Sequence, residues 1–415
     1  MGPEWVAILA LIALFVVGTV LPINMGALAY VAAWLVGMYS LHLSEKEILA
    51  GISGDLVLTL IGVTFLFAIA RNNGTVDLIV AGAVRAVRGR VALIPWVMFA
   101  VTAILTAIGA VSPAACAIIG PIALGFAAKY KINPLMMGML VVHGAQAGGF
   151  SPISIYGTIT NSVMADNGLP NSELTIFFSS LAVNLALAAI LFVVLGGRKL
   201  LGRRAEQIEP TDGEKKRASR DQILTLVAFV GVAVVALAFD KNIGFVAITA
   251  AVILAIVSPV KNKDAAKQVA WPTVLLVAGV STYAAILTEA GSPQFVGKWA
   301  AGLGAAVLGA LVLCYVGGVV SAFASSAALL PVIIPIALPL IAHGHLSAGL
   351  FVAALAVSST IVDVSPFSTN GALMLANRPD TIAEPVYYKQ ILTYSVIVVL
   401  AGPMLVWAAL VAPGW

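Results

Sequence analysis

The feature that most constrains this chain is a succession of apolar runs of bilayer length. A helix needs about 20 mostly apolar residues to cross the hydrocarbon core of a membrane, and such runs recur from residue 5 to residue 411. Charge is correspondingly scarce. Only 10% of the 415 residues are Asp, Glu, Lys or Arg, and 61% are hydrophobic, where a soluble domain carries about 25% charged residues. The pattern predicts an all-α polytopic membrane protein. A β-barrel does not fit, because barrel strands alternate apolar and polar residues in short segments. Ten spanning helices are expected, roughly at 5–21, 24–40, 54–71, 135–165, 172–196, 222–239, 243–259, 271–289, 348–376 and 388–411. The first follows Met1-Gly2-Pro3-Glu4 without the basic flank of a cleaved signal and is read as retained. Cys116 and Cys314 lie in apolar runs and read as small buried hydrophobes. No aromatic-and-basic surface points to nucleic acid, so the lipid bilayer is the expected macroscopic partner.

Two segments break the pattern. Residues 92–128 and 305–341 are almost free of charge, yet each has a polar centre, Ser112-Pro113 in one and Ser321 to Ser326 in the other. At 1.5 Å of rise per residue a single helix of that length would overshoot the membrane. Re-entrant hairpins, each of two helices meeting midway, fit instead, with the irregular tips covered by protein or water. If the first hairpin enters from inside and the second from outside, only Lys46, Lys241 and Lys298 of the 22 Lys and Arg fall on the outer side. That is a strong positive-inside bias. It places the hydrophilic linker 197–221 in the cytoplasm of a cell whose plasma membrane holds the chain, a bacterial inner membrane being the expected setting. Segments 74–90 and 290–304, just ahead of the hairpins, read as interfacial helices.

The chain also repeats itself. One constant offset carries Ser151-Pro152-Ile153-Ser154 onto Ser365-Pro366-Phe367-Ser368, Pro121 onto Pro335, Ser112 onto Ser326, and Gly157 onto Gly371. A slightly longer offset carries Asn24-Met25-Gly26 onto Asn242-Ile243-Gly244. These matches divide the chain into repeat 1 (1–196), with a hairpin near 92–128 and a broken helix near 135–165, and repeat 2 (222–415), with a hairpin near 305–341 and a broken helix near 348–376. Each repeat holds five spanning helices. Five is odd, so the repeats run in opposite orientation, the plan of secondary transporters whose sites lie where discontinuous helices meet.

Serine is a favoured N-cap, and proline suits the position after it. Ser112-Pro113, Ser151-Pro152 and Ser365-Pro366, with Ser326-Ala327 as the fourth equivalent, therefore read as helix starts deep in the membrane. Converging helix N-termini present free N–H groups and partial positive charge to an anion. The candidate substrate contacts are Ser112, Ser151, Ser154, Thr158, Ser326, Ser365, Ser368, Thr369 and Asn370. Carbonyls freed at the breaks are candidate Na⁺ ligands. Asp363 reads as the one acid well inside a spanning helix, and intramembrane acids point to an ion or proton role; Thr360 is a nearby hydroxyl that would hold it in a structural role. His143 is a second candidate proton carrier.

Paired hairpins followed by Ser-Pro-Ile-Ser and Ser-Pro-Phe-Ser breaks resemble the ion transporter superfamily, in particular the divalent anion:sodium symporter fold. The proline-rich second arms around Pro121 and Pro331–Pro335 match as well. The Asn-x-Gly openings at Asn24 and Asn242 look most like the malonate and dicarboxylate carrier branch. The Asn and Thr of the family's hairpin-tip motif are replaced here by Ser112-Pro113-Ala114 and Ser325-Ser326-Ala327. The resemblance implies an elevator-type dicarboxylate carrier, a homodimer with no organic cofactor. It also implies Na⁺ between each hairpin tip and broken helix, at Ser112, Gly149 and Ser151 in repeat 1 and at Ser325, Ser326, Thr360, Asp363 and Ser365 in repeat 2. Cation-coupled symport of a C3–C4 dicarboxylate is the expected activity. A Na⁺/H⁺ antiporter, an oxyanion efflux carrier of the same fold, and the membrane subunit of a binding-protein-dependent carrier remain open. A membrane enzyme is disfavoured, since no H-E-x-x-H or comparable cluster occurs.

Overall fold

The computed structural model describes residues 2–21, 23–204, 218–239, 241–301, 306–322, 325–344 and 346–414. Within them the chain is nearly all helix. The first half runs α1 (Pro3–Val20), α2 (Met25–Ser40), a short α3 (Glu45–Ala50), α4 (Gly54–Asn72) and α5 (Thr75–Ala86). It continues through α6 (Ile94–Ala107), α7 (Ser112–Tyr130), α8 (Pro134–Gly148), α9 (Ile155–Asp166) and α10 (Glu173–Val194). The second half runs α11 (Arg220–Phe239), α12 (Ile243–Val257), a one-turn α13 (Pro259–Asn262), α14 (Trp271–Glu289) and α15 (Ser292–Ala301). It ends with α16 (Ala306–Ser321), α17 (Ser326–Gly344), α18 (Ala348–Thr360), α19 (Thr369–Ala376) and α20 (Glu384–Leu410). Residues 205–217 of the expected linker and 323–324 of the second polar centre lie outside the described residues.

Both segments expected as hairpins are helix pairs with a short link, α6–α7 and α16–α17. Both helices expected to be broken are broken, into α8–α9 and α18–α19. Among the described residues six helical stretches are long and apolar enough to cross a membrane by themselves, α1, α4, α7, α10, the stretch Pro259–Glu289 and α20. Five of the ten spans expected, α1, α4, α10, α14 and α20, are among them; α7 is an expected hairpin arm, and α11 falls outside the six. Half-helices of 8 to 15 residues replace two of the spans, and α2 and α12, with 16 and 15 residues, are shorter than a full crossing. The sequence reading also passed over α3, although Ser44 and Glu47 form a capping box there.

Helix contacts sort the molecule into a frame and a core. In the frame α2 packs along α14, and α4 along α12, so each pair joins the two halves of the chain. Glycine permits both approaches. A Cβ on Gly279 would lie 2.0 Å from the Gly26 carbonyl oxygen, and one on Gly62 would lie 2.7 Å from that of Gly244. The helix openings mirror each other too. Asn24 caps α2 and donates to the Pro272 carbonyl at 2.9 Å, while Asn242 caps α12 and donates to the Asp55 carboxylate. The core gathers the hairpins and broken helices, α6 and α7 against α8, α16 and α17 against α18, and α10 against both α8 and α18. Helix α8 is buried along its whole length, and so is nearly all of α18. A helix without a polar face is an interior helix, so the lipid-facing surface falls to others, such as α1 and α12, which expose Ile12, Val16, Phe245 and Ile256.

Hydrogen bonds draw the basic loops to one end. Arg71 bonds Gln268, Gln222 bonds the Gly74 carbonyl, Lys261 bonds Asp221, and Arg203 bonds the Tyr130 carbonyl. The opposite end is tied by Ser53 to Asp166 and Asn242 to Asp55.

Candidate functional site

A cavity of about 360 Å³ lies where the four helix interruptions meet. The first hairpin contributes Ala110 to Pro113, the second Ser325 and Ala327. The broken helices contribute Gly149, Ile155 and Tyr156 on one side and Asp363, Phe367, Ser368 and Thr369 on the other. The frame closes it with Thr19, Asn24, Met25, Pro272 and Thr273. No Lys or Arg lines it among the described residues, and Asp363 is the one carboxylate.

The breaks are built alike in both repeats, but not where the Ser-Pro pairs suggest. Neither Ser151 nor Ser365 starts a helix; each sits in a turn, with the N-cap three residues later and the first helical residue four later. Ser154 caps α9 by accepting from the Gly157 amide at 3.3 Å, and Ser368 caps α19 by accepting from the Gly371 amide at 3.2 Å. Their hydroxyl protons turn back onto the turn carbonyls, Ser154 toward Ser151 at 2.6 Å and Ser368 toward Ser365 at 2.8 Å. Glycine is required in each first turn, since a Cβ on Gly157 or Gly371 would lie 2.0 or 1.9 Å from the carbonyl oxygen of Ser151 or Ser365. Ser151 and Ser365 serve instead as ties to the hairpin tips. Ser151 donates to the Ala107 carbonyl at 2.7 Å and Ser365 to the Ala322 carbonyl at 3.3 Å. The proline after each serine keeps these turns from continuing as helix.

Ser112 and Ser326 do open helices, as the first residues of α7 and α17 rather than as caps. Ser112 accepts from the Asn370 side-chain amide at 2.9 Å, a bond between repeats. The Asn370 carbonyl oxygen is buried without a partner in the structure. Ser326 Oγ lies 2.7 Å from Ser321 Oγ, 3.1 Å from the Ser359 carbonyl oxygen and 3.3 Å from Asp363 Oδ2. Four oxygens, one of them a carboxylate's, thus gather at this corner.

Four expectations need correction, besides the expected contacts Ser151, Ser154, Ser326, Ser365 and Asn370, which do not line the cavity. Asp363 is not inside a helix; it lies in the unwound link between α18 and α19. The Thr360 hydroxyl does not hold it, donating back to the Ala356 carbonyl at 3.1 Å within α18; Thr360 meets Asp363 only through its carbonyl, which accepts from the Asp363 amide at 3.0 Å. Thr158 is buried but lines a different pocket, with Pro152 and Asn161, on the far side of the Ser151 turn. His143 is away from the cavity. Its Nδ1 pairs with Asn184 Oδ1 at 2.9 Å and its Nε2 with Tyr394 Oη at 2.6 Å. Because the Asn184 amide nitrogen donates to the Ser180 carbonyl, its oxygen accepts, so Nδ1 carries the proton and Nε2 accepts from tyrosine. Both ring nitrogens are satisfied with the ring neutral, an arrangement that joins α8 to α10 and α20. Sequence reasoning missed Thr19, Tyr156 and Thr273 in the lining. Asn24 was visible as a repeat marker, but not as part of the wall.

Family models match both ends of the chain. The dicarboxylate carrier protein MatC N-terminus matches residues 1–149, and the citrate transporter matches residues 236–412. None of the curated proteins matches the sequence. Among solved structures, the Alcanivorax borkumensis YdaH transporter, whose crystal structure has been described as revealing an unusual topology, has a similar fold. The TM-score is 0.65 at 13% identity, over 91% of this chain and 89% of that one. These matches make the chain an integral membrane carrier, similar at its two ends to dicarboxylate and citrate transporters and in fold to the YdaH transporter.

Proposed function

We propose that the protein carries a C3–C4 dicarboxylate such as malonate, succinate or malate, coupled to Na⁺ or H⁺, by elevator-type alternating access. The observation that carries this reading is a cavity with helix openings and hydroxyls around it and a single carboxylate, Asp363, in its wall. Hydroxyls at Ser112, Ser325 and Thr369, together with the openings of α7 and α19, supply anion recognition without a buried cation.

Asp363 is the argument for coupling. Two like charges about 4 Å apart repel by about 4 kcal/mol at an effective dielectric near 20. An ionised Asp363 beside a substrate carboxylate would therefore weaken binding by roughly a thousandfold. A proton on Asp363, or Na⁺ held between Asp363 and Ser326, removes that repulsion and makes binding depend on the cation. The core of hairpins and broken helices is the moving body, and the α2–α14 and α4–α12 frame is the stationary one. The cavity borders Asn24 and Pro272, toward the basic end, so this conformation faces the cytoplasm.

Uptake of labelled dicarboxylate into proteoliposomes tests the reading. Uptake is expected under a Na⁺ or a proton gradient and should collapse when both are dissipated. No uptake under either gradient overturns it. Na⁺/H⁺ antiport without an organic substrate is the second reading that Asp363 supports. It is distinguished by cation-driven proton flux that added dicarboxylate leaves unchanged.

A further inference from the structure

Two groups of cations at the basic end have contrasting surroundings. Several that lie near the second half of the chain have partners. Lys261 Nζ is 2.6 Å from Asp221, Lys267 Nζ is 2.9 Å from Asp264, and Arg378 is 3.3 Å from Glu384. The other set is gathered around one pocket of about 580 Å³, between the end of α7, the start of α8, the end of α10 and the loop before α20. Lys131, Lys199 and Arg203 line it, and no carboxylate does among the described residues.

The backbone fixes this gathering. Lys131 ends α7 in the left-handed conformation, φ 51°. Arg203 donates to the Tyr130 carbonyl at 3.0 Å, and its own carbonyl accepts from the Val91 amide at 3.2 Å. The bridge that follows pairs Arg90 with Arg204 and adds two further exposed guanidinium groups. A positive-inside bias explains why cations lie at this end. It does not explain why they converge on one pocket that no acid among the described residues lines, where like charges repel.

The pocket also has an apolar flank. Ile132, Leu195 and Leu200 line it, and Val194 and Leu201 beside it are 73% and 65% exposed. A rim of fixed positive charge next to exposed apolar surface, at the ends of membrane helices, matches a molecule with an anionic head and hydrocarbon tails. We propose that this pocket binds the phosphate headgroup of an anionic phospholipid, with Lys131, Lys199 and Arg203 on the phosphate and the acyl chains along Val194 and Leu201. Basic pockets between membrane helices recognise lipid headgroups in this way. The proposal rests on the membrane placement of the chain and is independent of what the central cavity carries.

Native mass spectrometry of the delipidated full chain, offered equal amounts of phosphatidylglycerol and phosphatidylcholine, tests it. The wild type should retain phosphatidylglycerol selectively. Each basic group near an anionic headgroup contributes about fivefold in affinity, so Lys131→Gln/Lys199→Gln should lower retention by roughly 30-fold. Lys131→Arg/Lys199→Arg should keep it, and so should Lys261→Gln, which removes one charge from the same end. Equal retention of both lipids by the wild type, or undiminished selectivity in the double glutamine variant, overturns the proposal. Millimolar inorganic phosphate should not displace the lipid; full displacement makes a free anion the ligand and overturns the lipid assignment.

Discussion

The two hairpin tips are the same construction with different chemistry. In each, a serine opens the returning helix, a second serine in the turn of the broken helix ties back to the tip, and a third caps the resumed helix. The ties match closely, Ser151 to Ala107 and Ser365 to Ala322. At the residue two before each tying serine they part. Repeat 1 has Gly149 and repeat 2 has Asp363, and both line the cavity. The shape of the site is thus alike in the two halves, and a single difference between them accounts for the charge. The first tip is neutral and linked across repeats by Asn370 to Ser112; the second holds a carboxylate within reach of Ser326.

That asymmetry can be broken first at its source. Asp363→Asn should reduce cation-coupled dicarboxylate uptake in proteoliposomes by about 100-fold or more, since loss even of an outer-shell partner costs 10–100-fold at an ion site. Uptake that persists with the same cation dependence would make the acid structural. A smaller effect separates the two capping serines. Ser154→Ala and Ser368→Ala each remove a cap worth about 1 kcal/mol, so both should lower thermal stability alike. Only Ser368 lines the cavity, so only Ser368→Ala should also raise the apparent KM for substrate. Smaller again, Asn370→Ala cuts the link between repeats and leaves Ser112 without its donor. With a typical hydrogen bond near 1 kcal/mol, a change of roughly fivefold in substrate affinity is expected, read from the concentration dependence of uptake. Thr360→Val should change transport by less than about twofold, because its hydroxyl serves its own helix and such back-bonds contribute little. A large loss in that variant would return Thr360 to the ion site.

Much of this arrangement was legible before any coordinates. Charge scarcity fixed the class, and the length of 92–128 and 305–341 demanded a turn inside each. The constant offset relating Ser151 to Ser365 exposed the duplication. Two things were not legible, for different reasons. The capping serine was misassigned because Ser-Pro and the following serine are both good helix openings locally. The choice falls to Ser154 and Ser368 because Gly157 and Gly371 let the turn carbonyls approach, a tertiary constraint. The direction of a side chain was the other gap. Thr158 and Thr360 sit as close to the breaks in sequence as Ser112 does to its tip, but helix rotation turns Thr158 to another pocket and Thr360 onto its own backbone. His143 shows the same limit. A buried histidine in a membrane helix suggests proton traffic until Asn184 and Tyr394, far away in sequence, are seen to occupy both nitrogens.

The frame has a consequence for how the molecule is made. Asn24 meets Pro272 across 248 residues of chain, and the glycine faces of α2 and α14 pack closely on each other. At a synthesis rate of about 5–20 residues per second, α2 waits roughly 10 to 50 seconds in the bilayer before its partner emerges from the ribosome. Through that interval the notch at Gly26 must be filled by lipid or by an insertion factor. Assembly of the carrier is therefore gated by the arrival of its second half, and the first half alone has no finished surface on which to settle.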